Sequence, residues 1–230
     1  MSENKKYVIA IDGPAGTGKG TISRLVAKRI GFVLVKTGDM FRAITYKMVK
    51  EKIKLDEIDK IISLLDNIDL EFKYINGQQV SILDGEELND ELSIKEVQDN
   101  VSQVSVIKEV RDKVLKYEKD IAKKENIVME GRDIGTTVFP NADVKIYLIA
   151  DLEERVLRRY NQLKKQGINN ISKEEVKQNF IFRDENDKNK KYGALKQAED
   201  AVVVDNSHRE IEDTVNEIIN IIKEKIGEIW

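Results

Sequence analysis

Cysteine is absent from the 230 residues, and only two prolines, one tryptophan and one histidine occur. Without cysteine there is no disulfide, no thiolate nucleophile and no cysteine-based zinc site. Two prolines leave no proline-rich linker, and no stretch rich in Gly or Ser divides the chain. No apolar run approaches the ~20 residues of a membrane span. Met1–Lys6 is too short and polar to read as a signal peptide. A cytoplasmic protein is therefore expected, without a membrane partner, and the Asn100-Val101-Ser102 and Asn170-Ile171-Ser172 glycosylation patterns are chance matches. His208 lies past the last expected strand, where it reads as an exposed loop residue, so covalent or histidine-based chemistry has no support. An excess of positive charge is also missing. With 39 Lys and Arg against 42 Asp and Glu, the net charge is −3 and the pI about 5.5, which gives no overall drive toward nucleic acid.

What is present is a globular composition, 40% apolar and 35% charged, long enough for a substantial core. One domain over residues 5–228 is expected. Tyr7–Ile11 is an apolar run that reads as a strand buried on both faces. It runs into Gly13-Pro14-Ala15-Gly16-Thr17-Gly18-Lys19-Gly20-Thr21, and a helical pattern extends from Lys19 to Ile30. Glycines let the backbone turn so that its N–H groups converge on one spot. The unpaired N–H groups of the helix start add partial positive charge, and Lys19 adds a full one. That is a P-loop. It departs from the common pattern in one respect: Gly20 follows the lysine directly, and Thr21, the candidate Mg²⁺ ligand, comes second.

Downstream, Phe32–Val35 is a second strand, followed by helices from Met40 to about Glu51 and from Asp56 to Asn67. The apolar period then falls to two over Leu70–Tyr74 and Val80–Leu83, with Asn76-Gly77 as the hairpin turn. Helices are predicted over Lys95–Val104 and Ile107–Lys124, strands over Ile127–Met129 and Val144–Ile149, and a helix from near Asp151. Ser172 to about Asn186 is predicted helical, Asp187–Tyr192 is a polar run without an apolar face, Ala201–Val204 is the last strand, and Glu210–Ile226 is a closing helix. Strands separated by helices predict an α/β fold, three layers about a central parallel sheet, with the hairpin as an insertion.

In such a sheet, ligands sit beyond the carboxyl ends of the strands. There lie the P-loop, Thr37 to Arg42, and Arg132-Asp133. The helix after the fourth strand carries Arg155, Arg158 and Arg159, and Arg183, Asp184, Asp187, Lys188 and Lys190 follow. Cations around a phosphate cradle suit phosphoryl transfer, where catalysis is mostly positioning and neutralisation of charge. A phosphate monoester acceptor, with a second pKa of about 6, is already a dianion at pH 7 and needs no strong base. A GTP-binding switch is disfavoured, because none of the 13 glycines has Asp three residues before it, and Asn189-Lys190 runs into Lys191-Tyr192.

Five blocks carry a resemblance to a known family: Ile11-Asp12-Gly13-Pro14 into the P-loop, Thr37-Gly38-x-Met40-Phe41-Arg42, Asn100-x-Ser102-Gln103-Val104 with Val110-Arg111, Glu130-Gly131-Arg132-Asp133-Ile134-Gly135-Thr136-Thr137-Val138-Phe139-Pro140, and Arg183-Asp184-x-x-Asp187. Over residues 7 to 226 the chain resembles the bacterial cytidylate kinases, a branch of the P-loop nucleoside-monophosphate kinases. The resemblance implies the P-loop NTPase fold with an inserted, β-containing nucleotide-binding subdomain at about 38–104 and a helical lid at about 161–193. It implies phosphoryl transfer from ATP·Mg²⁺ to CMP or dCMP by a monomer; a kinase of another nucleoside monophosphate or small acceptor is the alternative. By the same resemblance, ATP lies on Gly13–Thr21. Lys19, Arg132, Arg159 and Arg183 act on the phosphoryl group. Thr37, Arg42, Ser102, Arg111, Arg132, Asp133, Arg183, Asp187 and Lys190 hold the acceptor. The chain departs from the family pattern at Lys36, in place of an aspartate, at Asp39, in place of a small residue, at Glu130, in place of an aspartate, and at Lys190, in place of an arginine.

Overall fold

The computed structural model describes residues 5–230 apart from Gly77 and Asn169. In chain order the elements are β1 (Val8–Asp12), α1 (Lys19–Ile30), β2 (Val33–Lys36), α2 (Thr37–Lys50), α3 (Ile58–Asn67), β3 (Leu70–Ile75), β4 (Gln78–Leu83), β5 (Glu86–Leu88), α4 (Lys95–Val104), α5 (Lys108–Lys124), β6 (Ile127–Gly131), β7 (Val144–Ile149), α6 (Leu152–Lys165), α7 (Lys173–Asn189), β8 (Val202–Asp205) and α8 (Ile211–Ile226). Short 3₁₀ and π-helical turns occupy Asp90–Ser93 and Ile134–Val138. Five strands form a parallel sheet in the order β2-β6-β1-β7-β8, and β3-β4-β5 form a second sheet. This is the α/β architecture that the alternation of apolar strands and amphipathic helices predicts.

The chain divides into two compact units. One comprises Phe32–Ile127 with the short stretch ending at Tyr7. Here β3 and β4 pair antiparallel from Leu70↔Leu83 to Ile75↔Gln78. Asn76 takes a left-handed conformation, φ +52°, as the hairpin requires, while the other turn residue, Gly77, lies outside the described residues. Met40, Ala43 and Ile44 of α2, Ile61 of α3, Val97 of α4 and Val110 of α5 are fully buried and form this unit's core. The Gln79 side chain holds the end of β2 as a strand would. Its Oε1 accepts from Lys36 N at 3.0 Å, and its Nε2 donates to Lys36 O at 3.1 Å.

The other unit comprises Val8–Gly31 and Val128–Trp230. β1 pairs with β7 and β7 with β8, all parallel. Ile9 and Ile11 of β1, Ile146 and Leu148 of β7, Ile22 and Val26 of α1, and Ile218 and Ile222 of α8 are buried to within 1%. Each such side chain stabilises the fold by roughly 1.5–3 kcal/mol relative to exposure. α6 packs on α7, and a separate cluster of Ala15, Val156, Leu163, Val176 and Phe180 joins them to the loop after β1. Among the described residues no helix is long and apolar enough to cross a membrane.

Candidate active site

β1 delivers the chain to Gly13, where φ is +155° and an added Cβ would fall 2.1 Å from the Leu148 carbonyl oxygen, so no side chain fits. The loop then enters α1 through Gly18, φ +94°, which has no side chain to cap the helix. The first N–H groups of α1 are thus left to an outside acceptor, the arrangement that binds anions. Side-chain donors hold the loop's carbonyls, among them Thr17 Oγ1, which donates to Pro14 O at 3.2 Å. Lys19 Nζ donates to Pro14 O at 2.6 Å, Arg155 Nη1 to Ala15 O at 3.0 Å, and Asn206 Nδ2 to Thr17 O at 2.8 Å. Carbonyls committed in this way leave the cradle to N–H donors, which suits phosphate.

Charge around Lys19 is dense. Burial, reinforced by the Arg132 guanidinium, holds the Lys19 ammonium well below the usual lysine range, against the opposing pull of Glu130, Asp12 and Asp187. Arg132 Nε donates to Asp187 Oδ2 at 2.7 Å, and Lys190 Nζ lies 2.9 Å from Asp187 Oδ1. Burial pushes the Asp187 carboxyl up, but Arg132 and Lys190 outweigh it, and the net position is below the ordinary aspartate range. The structure therefore brings Lys19, Arg132, Asp187 and Lys190 into one electrostatic group. Asp133 is buried beside Arg132. Thr21 and Arg183 have exposed side chains. An added Cβ at Gly20 would lie 3.5 Å from Glu130 Oε1, so a carboxylate faces the helix position where a P-loop usually has its hydroxyl. Oxygen donors of this kind are what Mg²⁺ takes.

Two arginines of α6 differ in burial. Arg159 is exposed and donates to Gln162 of its own helix. Arg155 is the buried one. It donates to Asp184 at 2.7 Å as well as to Ala15, with its guanidinium 5.4 Å from the Phe180 ring centre. Asn206, also unmarked by any motif, is 1% exposed. Besides holding Thr17, its Oδ1 accepts from Thr214 Oγ1 at 2.9 Å, and its carbonyl accepts from Arg158 at 2.7 Å. Both residues had one available signal: Arg155 recurs with Arg159 at i,i+4, and Asn206 directly follows a strand end, where ligands gather.

In the other unit, Thr37 opens α2 and is buried. Arg42 Nη1 lies 2.9 Å from Asp39 Oδ1, and Lys36 Nζ lies 3.8 Å from Asp39 Oδ2, so the two unusual residues form one ionic chain with Arg42. Arg111 stands over the Phe41 ring, 5.8 Å from its centre, and donates to Ser105 O at 3.3 Å. Ser105 Oγ in turn donates to the carbonyl of Ser102, whose side chain is exposed. Arg42, Ser102 and Arg111 are thus linked through α2, α4 and α5.

The sequence profile of the family described as cytidylate kinase matches residues 9–224. A cytidylate kinase of Caldicellulosiruptor saccharolyticus is 42% identical, over 97% of this chain and 98% of its own. One of Ligilactobacillus salivarius is 43% identical over 96% and 98%, and one of Clostridioides difficile 42% over 94% and 97%. Among solved structures, TT1252 from Thermus thermophilus superposes with a TM-score of 0.52 at 15% identity, over 97% of this chain and 99% of its own. A protein from Eubacterium ventriosum gives 0.52 at 13% identity, over 95% and 99%. Both structural likenesses bear on the fold alone.

Proposed function

The chain belongs to the cytidylate kinase family, and from that premise we propose that it transfers the γ-phosphoryl group of ATP to CMP or dCMP, giving ADP and CDP or dCDP. The observation that carries this reading is the cradle itself. A glycine loop with its carbonyls held by Lys19, Arg155 and Asn206 adjoins the cluster of Lys19, Arg132, Asp187 and Lys190, in which Lys19 and Asp187 are buried. That arrangement supplies N–H donors for the donor phosphates and concentrated positive charge where the moving phosphoryl group gathers negative charge.

In this reading Gly13–Thr21 hold ATP, and Lys19 releases Pro14 O to meet the phosphate oxygens. Mg²⁺ would be held beside Glu130 and Thr21, where it neutralises phosphate charge. Arg42 and Arg132 grip the acceptor phosphate, and Ser102, Arg111 and Asp133 read the base. Thr37, Arg183, Asp187 and Lys190 complete acceptor binding. The insertion at about 38–104 carries acceptor recognition, and the segment at about 161–193 closes as a lid, bringing Arg159 and Arg183 to the phosphoryl group. The acceptor's own phosphate, already dianionic at neutral pH, attacks without a protein base. The protein acts as a monomer.

An ATP-coupled assay on CMP, dCMP, UMP, AMP and shikimate tests the assignment, with Lys19→Met as its control. Wild type should turn over CMP and dCMP best. Lys19→Met should stay folded and lose on the order of 10³-fold in kcat, as removal of one strong electrostatic stabiliser does. Near-normal turnover by the folded variant, or a preference for shikimate or AMP, would contradict it.

A further inference from the structure

The π-helical turn Ile134–Val138 follows Arg132-Asp133 directly, and its first N–H groups need acceptors. The residue at its N-cap, Asp133, does not cap the turn with its side chain. The acceptors come instead from another strand. Asp12 Oδ1 accepts from Ile134 N at 2.9 Å, and Asp12 Oδ2 from Gly135 N at 2.7 Å. The approach is close there: a Cβ at Gly135 would stand 3.2 Å from the Lys145 side chain and 3.4 Å from Asp12 Oδ2. The segment is fastened at its far end too, where buried Lys145 donates to Pro140 O at 2.5 Å and to Asp200 at 2.7 Å.

Asp12 is 4% exposed, and of the natural side chains of its size only a carboxylate accepts through both of its terminal atoms. Burial, partly offset by the two backbone bonds, pushes its carboxyl up from 3.8 to about 6, with Asp133 adding to the rise and Lys19 opposing it. The folded protein thus holds its proton more tightly than the unfolded chain does, so this residue's contribution to stability falls as pH rises from about 4 to about 6 and stays unfavourable above. A buried carboxylate bonded by both oxygens to one turn fixes where that turn sits.

We infer that Asp12 is a positioning residue for the acceptor: it caps in trans the turn that follows Arg132-Asp133 and so fixes where those two side chains stand. The inference rests on the assignment of Arg132 and Asp133 to CMP. It separates Asp12 from the neighbouring P-loop residues, because its bonds go to the acceptor segment and not to the phosphate cradle.

Asp12→Asn is the direct test. The amide is the same size but presents one acceptor, and its NH₂ faces an N–H group. Loss of a bond to a charged group corresponds to on the order of 10- to 100-fold. The expected result is a fall of that size in kcat/KM for CMP, with a KM for ATP within about twofold of wild type. Equal effects on ATP and CMP, or none on either, would overturn the inference. Should the variant not fold, amide exchange on wild type decides: Ile134 and Gly135 should be protected, and exchange at the rate of an unbonded loop amide would overturn the cap. If wild type made no CDP at all, the functional assignment would fail, while the exchange measurement would still report on the cap.

Discussion

Arg42, which we assign to the acceptor phosphate, is paired with a carboxylate of its own helix. Asp39 Oδ1 lies 2.9 Å from its Nη1, and a carboxylate in that position competes with a phosphate for the same donors. Lys36, 3.8 Å from the other oxygen, offers Asp39 a second partner once Arg42 turns to substrate. Both Asp39 and Arg42 are about a quarter exposed, so the pair is worth only about 0.2–1 kcal/mol. Asp39→Asn should therefore lower KM for CMP about two- to fivefold with kcat held. A raised KM in steady-state assays would mean that Asp39 aims Arg42 and does not compete for it. Residues such as these were legible as motif positions. Asp12 stood in a motif block and Arg155 among the α6 arginines, but their partners, like that of Asn206, were not legible, because all three bond backbone atoms of distant segments and no local spacing encodes a partner 122, 140 or 189 residues away.

At the level of elements, the strongest periodic signals were read to the residue: α1, α4 and β7 have the predicted bounds. Other ends moved for physical reasons. α2 begins at Thr37, three residues early, with Asp39 in its first turn, where the helix dipole favours a negative charge. β5 has only three residues, two of them glutamates, and so carries no apolar period. The turn at Ile134–Val138 depends on Asp12 from another strand. α7 runs past the predicted end near Asn186 to Asn189. Ser172 and Glu175 form a capping box at its start, and near its end Asp187 is buried by ion pairing, a reason for order that polarity conceals. Its N-terminal part is anchored by Val176 and Phe180, whereas Phe182 is 64% exposed and Arg183 is exposed. The lid we propose at about 161–193 should open locally at little cost, most readily over its exposed residues. Amide exchange there should slow on binding of an ATP–CMP bisubstrate analogue, and equal exchange with and without it would mean that this segment does not close.

For the molecule as a whole, phosphate chemistry is common to many P-loop kinases, and the choice of cytosine is what sets this reading apart. Cytosine presents an amino donor at N4 and acceptors at N3 and O2. In the reading we propose, Asp133 accepts from such an amino group, the pairing expected of a carboxylate, and Arg111 donates to the acceptors. Uracil has an oxygen at position 4, so a buried carboxylate would face a second acceptor. An unpaired buried polar group costs about 1–3 kcal/mol, more when charged, which sets a preference of at least about 10-fold. The decisive measurement is kcat/KM for CMP and for UMP, on wild type and on Asp133→Ala. The account predicts at least about a 10-fold preference for CMP in wild type, and a much smaller ratio in the variant because CMP suffers far more than UMP. No preference in wild type, or the same ratio in both proteins, would contradict it.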